Sequence, residues 1–204
     1  MLGLQFRVSK SASSPCLNVI HYFKDKTQTL NFRQQIAMYV TGNLTTDQLP
    51  DLGVTGLKEG LDTPSLCILA GLGKDESPFQ IEHYFKLTLE ELNIKLPDRR
   101  KAAIEYALAI VDEIVEGKKE IISGTKEIRY KAIDSYDFFS ESKKYCYDSI
   151  GFETAYGLFD TIDELSCSNI PWNPEKTNEQ LISETKTELF EELKKWKDKI
   201  KNGA

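Results

Sequence analysis

The sequence predicts an all-α fold, a single orthogonal or bundle-like domain of about seven to nine helices. Three observations carry that expectation. Apolar residues recur at spacings of three and four along most of the chain after residue 30, the period of one helix face. Helix-start signals (Thr63-Pro64, Ser77-Pro78, Thr177-x-x-Gln180) stand just ahead of those stripes. Strand signals are confined to the first quarter, where Leu4 to Val8 alternates apolar and polar and 17–23 suits strand or helix. Residues 1–29 therefore read as an N-terminal arm with a short strand, and 30–204 as the helical domain.

The first helix runs over 30–40 on Phe32, Ile36, Tyr39 and Val40, and Gly42 offers a left-handed stop. Thr45-x-x-Gln48 forms a capping-box pattern for a helix towards Gly60, which Pro50 forces to start late and Gly53 and Gly56 weaken. Thr63 and Pro64 then open a helix on Leu66, Leu69 and Ala70, stopped by Gly71 and Gly73. Ser77 and Pro78 open the next, with Ile81, Tyr84, Phe85, Thr88 and Leu92 on one face. From Asp98 to Glu116 the stripe Ile104, Ala107, Leu108, Val111, Ile114 and Val115 is broadened by Ala103, Tyr106 and Ile110. That width predicts a helix buried on most sides, ended by Gly117. Shorter helices are expected in 120–133, 137–149 and 152–165. The final helix, about 178–200, carries Ile182, Leu189, Leu193, Trp196 and Ile200 on one side and a run of lysines in its last turns.

Composition excludes several functions. The formal charge is −6 and the arginines are scattered, so no cationic footprint for nucleic acid is present. Residues 1–50 carry five basic and two acidic side chains, whereas 151–204 carry seven and eleven, so the acidity gathers towards the C-terminal part. No window approaches the roughly 18 apolar residues of a membrane helix. The N-terminus has no secretory pattern, and Leu2 stands where myristoylation needs glycine, so the expected location is cytoplasmic. Cys16, Cys67, Cys146 and Cys167 form no Cys-x-x-Cys, and reduced thiols are expected, with Cys67 packed as a small core residue.

Catalytic patterns are weak throughout. His21 and His83 have no ligand at helical spacing, so no metal site is expected. Ser140-x-x-Lys143 lacks companion motifs, and Gly71-x-Gly73-Lys74 lacks the earlier glycine and the hydroxyl of a phosphate loop. No cofactor is expected. Asp160, Asp163 and Glu164 share one face of an expected helix, with Glu153 two turns earlier. Beside them lies an unusual density of aromatic side chains. Tyr136, Phe138, Phe139, Tyr145, Tyr147, Phe152, Tyr156 and Phe159 account for eight of the 21 in the chain. These rings can fill the core, or they can dock a partner, since tyrosine joins an apolar ring to a polar tip.

Tyr39-Val40-Thr41-Gly42-Asn43-Leu44-Thr45, Glu59-Gly60-Leu61-Asp62-Thr63-Pro64-Ser65-Leu66 with Leu69-Ala70-Gly71, and Ile114-Val115-Glu116-Gly117 together resemble a loose group of bacterial all-helical proteins. The resemblance spans about residues 30–120 and implies a helical fold with no assigned catalytic residues. By analogy of size and acidity, the chain is also similar to immunity proteins that neutralise a toxin domain.

The expected function is a non-enzymatic protein-binding protein of this immunity type, docking a basic partner through Tyr145, Tyr147, Glu153, Tyr156, Asp160, Asp163 and Glu164. Two alternatives stand beside it. One is a metal-assisted hydrolase using Asp160, Asp163 and Glu164. The other is a self-associating scaffold using the 182–200 stripe.

Overall fold

The structure, a computed structural model, describes residues 30–203 apart from Lys74, Asn169 and Pro171. The N-terminal arm of residues 1–29, with Cys16, His21 and the proposed strand, lies outside the described residues. The described residues are all-helical, with eight α-helices and no strand. No helix among them is long and apolar enough to cross a membrane.

Contacts group the chain into two compact units, and the first boundary falls between Phe32 and Arg33. Residues 30–32 and 46–95 belong to the first unit. Its helices are α2 (Leu49–Lys58), α3 (Pro64–Gly71) and α4 (Pro78–Glu91), and Phe32, the first residue of α1 (Phe32–Val40), packs with them. A 3-10 turn over Thr46–Gln48 precedes α2, whose N-cap Gln48 makes no side-chain cap bond and whose first turn holds Pro50. The glycines that weaken α2 have a packing role. A Cβ on Gly53 would come within 2.9 Å of the Ala70 backbone nitrogen in α3, and one on Gly56 within 2.9 Å of the Phe32 ring.

The start of α3 follows the sequence reading, with the Leu66 N–H donating to Thr63 Oγ1 and Pro64 in the first turn. A second acceptor comes from the end of α4: Glu91 takes the Ser65 N–H at 3.0 Å and the Ser65 hydroxyl at 2.7 Å. The Ser65 hydroxyl and amide together hold the Glu91 carboxyl below its usual range. At α4, Pro78 occupies the first turn but Ser77 makes no capping bond. Cys67 departs from expectation. It is only half-buried, and Ile68 beside it is 42 % exposed, while Cys146 and Cys167 are free thiols.

The second unit takes 33–45 and 96–203. Here α5 (Arg99–Val115) is capped by Asp98, which accepts the Lys101 N–H. As expected it is buried on most sides, through Ala102, Ala103, Tyr106, Ala107, Ala109, Ile110, Val111 and Ile114. α6 (Ile121–Glu127) packs against it where Gly124 leaves room for Ile114, since a Cβ on Gly124 would sit 2.6 Å from Ile114 Cδ1. The helix expected over 120–133 widens to a π turn at Ile128–Ala132 and tightens to a 3-10 turn at Ile133–Ser135.

The helix expected in 137–149 is absent. Side chains there take the backbone donors that a helix would use. Asp148 accepts the N–H groups of Lys143, Lys144 and Tyr145, Asp137 accepts that of Ser140, and Ser142 Oγ accepts that of Tyr147. Only a 3-10 turn at Asp148–Ile150 follows.

α7 (Glu153–Cys167) and α8 (Asn178–Lys201) pack antiparallel. The Trp196 indole N–H donates to the Ile150 carbonyl at 2.8 Å, and its ring meets Phe152 edge to face. The Thr177–Gln180 capping box forms at the start of α8 as the sequence predicts. Leu189, Leu193 and Trp196 of the final stripe are buried inside this unit, so that face is already occupied.

A buried polar network joins α5 to the segment after it. The Tyr106 hydroxyl donates to Glu127 at 2.6 Å, and the Lys119 ammonium lies 2.7 Å from Glu127 and 2.8 Å from Glu113, which is itself buried. Burial pushes the Tyr106 phenol far up, and its bond to Glu127 reinforces the shift. Burial would also raise Glu127, but the Lys119 and Tyr106 hydrogen bonds outweigh it and leave the carboxyl below its ordinary value.

Candidate docking surface

The aromatic-rich segment divides into an inside and an outside. Phe138 and Phe152 are fully buried, and Tyr147 and Phe159 nearly so. Tyr136 and Tyr156 are half-buried, while Phe139 and Tyr145 project into solvent at 64 % and 57 % exposure.

The inside is built around Arg129, which leaves the π turn towards the loop. Its guanidinium lies over the rings of Tyr147 (5.0 Å), Tyr130 (5.3 Å) and Tyr156 (5.4 Å) and pairs with Asp134. Tyr147 and Tyr156 meet edge to face at 5.2 Å. Burial pushes the Tyr147 phenol up to about 12, with Arg129 opposing. Tyr147 also takes a left-handed backbone, φ 64°, which a bulky residue adopts only when its surroundings hold it there. Tyr147 thus anchors the loop from within, and its expected role on the docking surface is corrected: the ring is 5 % exposed.

The loop has a second anchor at Glu141. Arg100 of α5 grips this carboxylate through Nε and Nη2 at 3.1 Å, and the Tyr136 hydroxyl donates to it at 2.8 Å. The Arg100 hydrogen bond is the main cause holding the Glu141 carboxyl low. Asp148 is also held low, first by the Lys144 N–H and then by that of Lys143. The loop is consequently ordered from both ends and from its middle.

Tyr145 stands at the loop's crest with Lys144 over its ring at 4.9 Å. Glu153 opens α7, half-buried, with Oε2 shut from solvent and no hydrogen-bond partner on that atom. Tyr156 lies against Tyr147 on the next turn. Asp160, Asp163 and Glu164 follow, all exposed. Among the described residues nothing forms an ion pair or hydrogen bond with these three side chains. α7 has no basic residue in its last turn, although the negative end of the helix dipole would favour one.

Of the expected docking residues, Glu153, Tyr156, Asp160, Asp163 and Glu164 lie along α7 and Tyr145 and Tyr147 in the loop before it, while Arg129 and Asp148 were not among them. A lone arginine is silent until its cage is seen. The loop-forming Asp148 carried one signal, its place in a stretch dense in Ser, Asp and Lys. Among the described residues no three His, Cys, Asp or Glu side chains converge on a metal position, so Asp160, Asp163 and Glu164 line a face and enclose nothing. Comparison with protein families, curated proteins and solved structures finds no match to this chain.

Proposed function

We propose that this chain is a non-enzymatic binding protein that receives a basic protein partner on the carboxylate face of α7. The observation that carries the reading is the unpaired state of Asp160, Asp163 and Glu164. Several carboxylates elsewhere in the unit are matched: Asp112 with Lys197 and Lys201, Glu113 and Glu127 with Lys119, Glu141 with Arg100. Three unmatched acids near the wrong end of a helix dipole stabilise neither helix nor tertiary fold, and a cationic partner supplies what they lack. Tyr145 and the half-buried edge of Tyr156 add apolar contact beside them.

A toxin-neutralising role of the immunity type, in a bacterial cytoplasm, is the specific form of this reading. Its support is analogy of size and acidity. Alkylation of native protein from its own host decides the compartment question: four reactive thiols support the cytoplasm, and two place the chain elsewhere.

The binding test uses Asp160→Lys/Asp163→Lys against wild type in affinity capture, followed by titration of the purified partner. A basic partner held by wild type and lost by the variant supports the reading. Equal recovery of the same partners by both overturns it.

A further inference from the structure

We propose that residues 139–148 form a strap that opens as one piece and is latched shut by the Arg129 guanidinium on the ring of Tyr147. The inference stands apart from the reading of α7, since the strap can be seen to open whether or not α7 carries a partner.

Three departures from regular structure converge on this latch. The first is the π turn over Ile128–Ala132, which carries Arg129 and whose Lys131 carbonyl accepts from the Asn43 side chain at 2.8 Å. The second is Tyr147, whose φ of 64° puts a bulky side chain in the left-handed region. Four residues on, Gly151 takes nearly the same conformation, φ 66°, with no side chain to oppose it. The third is a guanidinium held against the rings of Tyr147, Tyr130 and Tyr156, with Asp134 beside it. Backbone strain persists only where surrounding contacts hold it, and broken local rules gather at segments that switch.

Burial and hydrogen bonding decide what moves. Phe138 and Phe152 are fully buried and hold the chain on either side of the strap. Within it only Tyr147 is buried, so that ring carries the packing that closes it. The strap's amides are bonded internally, those of Lys143, Lys144 and Tyr145 to Asp148 and that of Tyr147 to Ser142, and it therefore keeps its shape as it lifts. The Arg100–Glu141 pair ties it to α5, but both side chains face solvent in part, where water and salt weaken an ion pair. Relaxation of the Tyr147 backbone also turns its carbonyl away from the Phe152 N–H that donates to it, so that amide reports the same event. Opening uncovers the Tyr147 ring and the side of Tyr156 packed against it.

The test is native-state amide hydrogen exchange on the full chain at several low denaturant concentrations. Wild type is compared with Arg129→Met, Tyr147→Leu and the double variant, and circular dichroism verifies that each keeps its helices. In wild type the amides of Lys143, Lys144, Tyr145, Tyr147 and Phe152 should exchange through one common opening. That opening should be more frequent than any in α5 and insensitive to denaturant, because it exposes little surface. Each single variant should open the strap about tenfold or more often, still without denaturant dependence. The double variant should open it no more often than either single one, since both remove the same contact. Wild-type amides with unrelated openings, or a strap that opens only with α5, would overturn the proposal, and either result can be read even where a variant fails to fold. Single variants that open as rarely as wild type, or whose effects multiply in the double variant, would overturn the latch.

Discussion

Tyr106 shows how much one buried side chain can organise. Its ring is fully buried and its hydroxyl ends on Glu127, a carboxylate that also holds Lys119. Tyr106→Phe keeps the ring and removes a hydrogen bond to a charged acceptor, so unfolding by denaturant should show a loss of about 1.5–3 kcal/mol. Asp148 is the surface counterpart. Its carboxyl is held below the ordinary range by loop amides, so its contribution is present above the unfolded value and is lost as pH falls through the lowered folded value. The amide resonances of Lys143, Lys144 and Tyr145 should therefore shift together in acid, and Asp148→Asn should abolish that pH dependence. None of this is legible in the sequence, where Glu127 and Asp148 look like any other acids. Their roles depend on which backbone and which cation fold brings to them.

At the scale of elements, the periodic helices could be read and the competing local bonds could not. Asp98–Glu116 and the capped final helix follow from apolar spacing and cap chemistry, both local properties. The 137–149 segment, expected as a helix, is rich in Ser, Asp and aromatic residues of low helix propensity, and Asp137, Ser142 and Asp148 divert its amides. Two glycines in helices make an opposed pair. Gly53→Ala forces a Cβ into the Ala70 backbone and should destabilise by about 1–3 kcal/mol. Gly157→Ala, on an open face, should stabilise by about 0.5–1 kcal/mol. Thermal or chemical denaturation reads both. Asp163→Lys and Glu164→Lys should each stabilise α7 by about 0.3–1 kcal/mol while weakening partner binding. If stability and binding fell together, the carboxylates would be structural. The acidic face itself was legible, since it needs only a helix and a spacing. The aromatic cluster was legible as a cluster, but its division into buried Tyr147 and exposed Tyr145 depends on the loop's turn.

For the whole molecule, the net charge of −6 acts at a distance that single contacts do not. A basic partner should associate more slowly as salt rises, with its dissociation rate changing less, and rapid-mixing kinetics at two ionic strengths checks this. The order of segments along the chain has a temporal consequence. The second unit is interrupted, since 33–45 and 96–203 belong together while 46–95 form a unit between them. Asn43 reaches the Lys131 carbonyl at 2.8 Å across 88 positions of sequence. A chain emerging from N to C terminus thus makes α1 well before its partners exist, and meanwhile α2, α3 and α4 can condense alone. That early condensation shortens the effective tether between residues 45 and 96, so the late closure resembles joining the ends of a short loop more than a long one.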